Sequence, residues 1–198
     1  MPTRTSCRAL RIAGAVAAVV VVAVVGLAAL FARTDVATPP AAETAQPQPF
    51  PQIDRAALSP TQLRVIDDLH AQFDAQSPGE TYSEGVTEPW CADFVSWVMK
   101  QAGTPLQNPN SGSWRIPGVY TMQEYYQSAG RFEPPGFQPR PGDVVLWGEH
   151  SPMGLHANVV VAVDGAQLTT VGGNEGGIRV RTATVGPDTG LLGFGRLT

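Results

Sequence analysis

The sequence predicts an α+β domain, with helices in its first half packed on an antiparallel sheet formed by its second half. Apolar residues recur at helical spacing between residues 60 and 103, whereas short strand-like runs follow from residue 142 onward. The pair Asp164-Gly165 between two apolar runs is a strong hairpin signal. Helices followed by hairpin-linked strands are typical of the α+β class.

The first 32 residues are expected to hold a membrane anchor. Residues 12–32 carry no charge over 21 positions, and a helix of that length spans about 30 Å, one hydrocarbon core. Three arginines precede the run, so residues 1–11 are predicted to be a cytoplasmic basic tail. A cleaved signal peptide is the alternative, but its apolar region is usually shorter, about 7–15 residues. We therefore expect a single-pass protein of the cell membrane, with its C-terminal domain outside the cytoplasm.

A proline-rich linker is predicted at residues 33–58, before a domain at residues 59–198. Five prolines among alanine, threonine and glutamine oppose both a long helix and a strand ladder, and favour an extended spacer. From residue 34 on, nine Arg and Lys residues stand against 17 Asp and Glu residues, a net charge of −8. Because this charge repels polyphosphates, no nucleic-acid partner is expected.

Three helices and five strands are predicted within the domain. The helices are expected at residues 60–76, 87–103 and 121–129, with Ser59 and Thr87 as N-caps of the first two. The strands are expected at the runs GDVVLW, NVVVAV, QLTTV, IRVRTA and GFGRL.

Cys91 is the one thiol predicted to lie outside the cytoplasm, because Cys7 falls in the basic tail. Free cysteine is often a small buried hydrophobe, which is the simplest interpretation of Cys91. However, Cys91 falls within the first turn of the second helix, where unpaired N–H groups and the helix dipole favour a thiolate. This position favours a nucleophile.

A thiolate nucleophile needs a base to hold its proton and a third group to orient that base. His156 directly precedes the run NVVVAV, where a packed sheet would hold it rigidly, and is the predicted base. His70 is expected to be solvated, and His150, in a loop, is a candidate substrate contact. Asn174 would face His156 if the hairpin loop includes Ala166 or if a bulge falls just before Asn174. A strict two-residue turn without a bulge would send Asn174 to the opposite face.

In their order, the segments EPWCADFVSWVMKQAG, RPGDVVLW, HANVVVAVDG, TTVGGN and GFGRL resemble a CHAP domain, over roughly residues 60–198. CHAP domains are cysteine- and histidine-dependent amidohydrolases and peptidases of the papain-like group, related to the NlpC-type peptidases. The resemblance implies a papain-like α+β fold, with Cys91 as nucleophile, His156 as base and Asn174 as orienter. Many relatives carry Glu-Gly-Asn at the last motif, whereas Gly172 stands here in place of that Glu. Either Glu175 substitutes for it or Asn174 acts alone.

The resemblance also implies a substrate, the stem peptides of peptidoglycan, cut either as an endopeptidase or as an N-acetylmuramoyl-L-alanine amidase. Trp90 and Trp114 are candidate groove walls or core aromatics, and Tyr82 could donate a hydroxyl to an oxyanion. No cofactor is expected, and no metal, because the calcium loop of some relatives has no counterpart here. A protein activator is conceivable.

The alternative function is a non-catalytic, membrane-anchored scaffold that binds the wall or the divisome. Because both Cys91 and His156 are present, catalysis is the favoured prediction.

Overall fold

A computed structural model of the chain describes residues 48–197. The predicted tail, the predicted anchor and most of the predicted linker, up to residue 47, lie outside the described residues. Within the described range, none of the helices has the length and apolar character needed to cross a membrane.

Three α-helices precede the main strands: α1 (Pro60–Ala75), α2 (Cys91–Gln101) and α3 (Val119–Ser128). A single turn of 3-10 helix, Gly79–Thr81, lies between α1 and α2. The N-cap predicted for α1 is confirmed, because the Ser59 hydroxyl accepts the Gln62 N–H at 3.3 Å. The Gln62 side chain in turn accepts the Ser59 N–H at 2.9 Å, which completes a capping box.

The predicted start of α2 is wrong by several residues. The helix begins at Cys91, and its N-cap residue, Trp90, makes no capping bond through its side chain. Thr87, the expected cap, donates its hydroxyl to Glu80 instead, at 3.2 Å. Pro89 explains the later start, since a residue that precedes proline is disfavoured in the helical region. Cys91 is therefore the first residue of an uncapped helix.

Six strands form one antiparallel sheet, which confirms the predicted α+β class. They are β1 (Phe132–Glu133), β2 (Val144–Trp147), β3 (His156–Asp164), β4 (Gln167–Gly172), β5 (Arg179–Thr184) and β6 (Leu191–Gly195), in the spatial order β1-β6-β2-β3-β4-β5. Strand β1 was not predicted, since two residues carry no periodic pattern. The main core lies between the helices and one face of the sheet, and includes Phe94, Val98, Leu146, Val159 and Val171.

The β3–β4 hairpin differs from both predicted registers. Its two-residue turn is Gly165-Ala166, so Asp164 pairs with Gln167. A bulge falls at Val161, between Val160 and Ala162, rather than near the end of β4. Because β4 ends at Gly172, Asn174 lies beyond the strand, and no ladder pair joins it to His156.

Residues 48–58, the described end of the predicted linker, lie against the domain. The Phe50 ring stacks on His70 with ring centroids 4.3 Å apart, and Arg55 pairs with Asp67 at 2.7 Å. Ile53 packs against the main core. Apolar residues at the end of the proline-rich tract thus pack against the domain.

Candidate active site

Cys91 stands where α2 meets the sheet. It is the first residue of the helix and is 5% exposed, within the main core cluster. The first N–H groups of a helix have no partner within the helix, and the Phe94 N–H is the first to bond back, to the Trp90 carbonyl. The backbone N–H groups at the start of α2 are therefore available to an anion beside the Cys91 sulfur.

His156 is held rigidly at the start of β3, where it pairs with Trp147 of β2. Burial disfavours the charged imidazolium, but hydrogen bonds and charge interactions with Cys91 and Glu175 outweigh it and raise the pKa of His156 to about 9. The His156 Nε2 atom lies 3.1 Å from the Glu175 Oε1 atom, so Nδ1 is the nitrogen left for Cys91. His156 thus contacts a carboxylate directly and also interacts with the Cys91 thiol.

Glu175 is bound through both carboxylate oxygens. The Asn158 Nδ2 group donates to Oε1 at 2.8 Å, beside the His156 contact, and the Arg181 Nε group donates to Oε2 at 2.5 Å. The Glu175 side chain is only 4% exposed. Burial opposes its charge, but the bonds from His156, Arg181 and Asn158 hold the pKa of Glu175 below its usual value. Glu175 is therefore a fixed anion next to His156.

The orienting contact that was predicted for Asn174 is made by Glu175, so the predicted Asn174–His156 geometry is wrong. Asn174 has a left-handed backbone, φ 64°, directly after β4, and its side chain is exposed. This reversal turns the next residue, Glu175, back over Gly172. A Cβ atom at Gly172 would lie 2.7 Å from Glu175 Oε1 and 2.2 Å from Asn158 Nδ2. Glycine at 172 thus leaves the space that the Glu175 carboxylate fills.

Tyr82 does not offer its hydroxyl to the site, contrary to the sequence expectation. Its side chain is fully buried, and the hydroxyl donates to the Gln72 side chain at 2.9 Å. The Tyr82 ring stacks on Trp90 with centroids 5.3 Å apart. Trp90 is half-buried and precedes Cys91 directly, so it serves as packing and can also form a wall.

The two remaining candidate contacts, Trp114 and His150, are not linked to Cys91, His156 or Glu175 by any bond found among residues 48–197. Trp114 is half-buried, with the Lys100 ammonium 4.2 Å from its ring centroid. His150 is exposed in the loop between β2 and β3. In the same range no group of three or more His, Cys, Asp or Glu side chains could hold a metal ion.

Asn158 and Arg181 were missed by the sequence interpretation. A signal for Asn158 exists, since it follows His156 by two residues on a strand and must project from the same face. For Arg181 there is none, because its contact depends on how the loop between β4 and β5 folds.

Gly173 is expected to tolerate no side chain, which is testable. A Cβ atom there would lie 2.2 Å from the Trp90 ring and 2.9 Å from the Phe94 Cβ atom. Gly173→Ala should therefore destabilise the domain by about 1–3 kcal/mol through overpacking. That loss should lower the thermal unfolding midpoint by roughly 2–4 °C for each kcal/mol.

Gly186→Ala is the matched control, since an added Cβ there meets only one methyl group at 3.9 Å. Its midpoint should stay at the wild-type value. Equal midpoints for the two variants in calorimetry would contradict the packing assigned to Trp90.

A cysteine at a helix start, facing a histidine that a carboxylate orients, is the arrangement of enzymes with a thiolate nucleophile. Residues 82–174 match the family model of the CHAP domain. This match confirms the predicted family for that part of the chain.

No curated protein matches the chain. Among solved structures the chain is similar to the crystal structure of Ly7917, with 15% identity and a TM-score of 0.45. The match covers 68% of this chain and 62% of that chain, which is less than two thirds of its length.

Proposed function

We propose that the protein hydrolyses an amide bond in the stem peptides of peptidoglycan, with Cys91 as nucleophile, His156 as acid and base, and Glu175 as orienter. The observation that carries this proposal is the contact of His156 with the Glu175 carboxylate at 3.1 Å, together with an interaction with Cys91 that raises the pKa of His156. The match of residues 82–174 to the CHAP family model supports the substrate class.

The acylation step begins with a thiolate and an imidazolium. The Cys91 sulfur attacks the carbonyl carbon of the amide, and the carbonyl oxygen takes up the negative charge. Backbone N–H groups at the start of α2 are placed to bind this oxyanion. His156 gives its proton to the leaving nitrogen, the C–N bond breaks, and the amine departs from a thioester on Cys91.

Hydrolysis of the thioester restores the starting state. His156, now neutral, takes a proton from a water molecule that attacks the thioester carbon. The C–S bond breaks, the acid product leaves, and the thiolate and imidazolium form again. Throughout both steps Glu175 keeps Nε2 protonated, which leaves Nδ1 to exchange the proton.

The apolar run at residues 12–32 supports a location at the cell membrane, with the catalytic domain on the outer side. An anchored hydrolase would act on the layer of wall nearest the membrane. The cut lies either between muramic acid and L-alanine or within the stem peptide.

The deciding experiment is digestion of purified disaccharide-peptides with the full-length chain in mild detergent, followed by mass spectrometry. Release of the intact stem peptide identifies an amidase, whereas shortened peptides that stay on the sugar identify an endopeptidase. Intact substrate, together with retained binding to purified cell walls, would refute the proposal and support the wall-binding scaffold.

A further inference from the structure

Arg181 is the outermost member of the group of side chains around His156. It lies on β5, paired opposite Thr170 of β4, and its Nε group donates to Glu175 Oε2 at 2.5 Å. The Arg181 side chain is 50% exposed, whereas the Glu175 side chain is 4% exposed. A surface cation therefore reaches a nearly buried carboxylate that touches the predicted base.

The backbone of the loop that carries Glu175 is held by the Glu175 N–H bond to the Gly177 carbonyl at 3.1 Å and by the Arg179 side chain on the Gly176 carbonyl at 2.5 Å. The loop connects β4 to β5 and contains glycines at 173, 176 and 177, the last two with φ of 72° and 118°. Glycine backbones have many accessible conformations, so the orientation of the Glu175 carboxylate depends strongly on its side-chain contacts. On the inner oxygen these are His156 and Asn158, and on the outer oxygen the contact is Arg181.

We propose that Arg181 is a positioning residue, which acts through Glu175 to hold His156 in the orientation that faces Cys91. The catalytic meaning of this role rests on the proposed function. With Arg181 in place both carboxylate oxygens are bound, so the carboxylate cannot rotate away from the imidazole. Without it, only the contacts of Oε1 with His156 and Asn158 hold the carboxylate, and its orientation is less restricted on the glycine-flanked loop.

The direction in which the pKa of His156 changes when Arg181 is replaced distinguishes a positioning role from a purely electrostatic effect of the Arg181 charge. The groups that face His156 are Cys91 from α2 and Glu175 from the β4–β5 loop. Loss of the Arg181 charge alone would favour the imidazolium and raise the pKa of His156. Loss of the Glu175 contact would remove a group that raises this pKa, and the pKa would fall.

The test compares Arg181→Met, Arg181→Lys and the control Arg140→Met, which removes an exposed arginine that makes no bond to Glu175. Each is made in the full-length chain in mild detergent. The pKa of His156 is read from its ring-proton NMR titration, assigned by comparison with His156→Gln, and kcat is measured on disaccharide-peptides. Arg181→Met should lower the pKa of His156 and lower kcat about tenfold, with KM little changed.

Arg181→Lys should recover most of kcat, since an ammonium can still bind the carboxylate, and Arg140→Met should match the wild type. A pKa of His156 that stays constant or rises in Arg181→Met would overturn the proposal. If Arg181→Met did not fold, Arg181→Gln, which keeps an N–H donor without the charge, would have to show a smaller fall of the same sign. The titration needs no substrate, so it tests Arg181 even if the wild-type chain proves unable to cleave peptidoglycan.

Discussion

Cys91→Ala should abolish hydrolysis of peptidoglycan while leaving the fold intact. A covalent mechanism has no route without its nucleophile, so turnover should fall at least about a thousandfold. The removed sulfur lies in the core but is small, and its loss should cost about 1 kcal/mol of the free energy of unfolding. We therefore expect the thermal unfolding midpoint to stay within about 2–4 °C of the wild type.

The measurement is release of cleaved stem peptides, with the unfolding midpoint recorded on the same preparation. Cys7→Ser is the control, since it removes the other cysteine of the chain and should keep full activity. Substantial hydrolysis by Cys91→Ala would exclude Cys91 as the nucleophile.

Glu175→Gln should lower kcat by roughly a hundredfold, because the amide has similar shape but no charge to hold the imidazolium. The pH profile should change as well. In the wild type kcat should fall as the pH rises through about 9, where His156 loses its proton. Because the Glu175 anion favours the protonated ring, its removal lowers the pKa of His156 from about 9 towards the ordinary 6.5, and the alkaline fall of activity should move to lower pH.

Asn174→Gly is the matched control for the adjacent residue. Glycine adopts the φ of 64° at position 174 without strain, so this variant removes only the amide side chain. Activity and pH profile should stay near those of the wild type. The reverse pattern, with Glu175→Gln active and Asn174→Gly inactive, would return the orienting role to Asn174.

The parts of the fold that the sequence predicts well are those with a local cause. Helix α1 follows from its periodic apolar residues and from Ser59, and the strands follow from runs of β-branched residues. Cys91 could be identified as a candidate nucleophile because that prediction depends only on its position at the start of one helix. His156 could be singled out because the run after it is a strand.

The orienting residue could not be predicted, because its place depends on two features without a sequence signal. The bulge at Val161 falls within an unbroken apolar run, where every residue suits either face of a buried sheet. The left-handed conformation of Asn174 is common for asparagine but not obligatory. Together the bulge and the left-handed conformation determine whether the side chain of residue 174 or that of residue 175 contacts His156.

The lack of space beside Gly172 means that the glutamate that many relatives carry at this position would be harmful here. A glutamate at 172 would restore the family motif on paper, yet its side chain would start within 2.7 Å of the Glu175 carboxylate and 2.2 Å of the Asn158 amide. Two carboxylates would then compete for one histidine and repel each other. Positions 172 and 175 are therefore interdependent: the acid can stand at one of them only if the other leaves room. A glycine that reads as a lost catalytic residue in a motif comparison is thus compatible with an intact site.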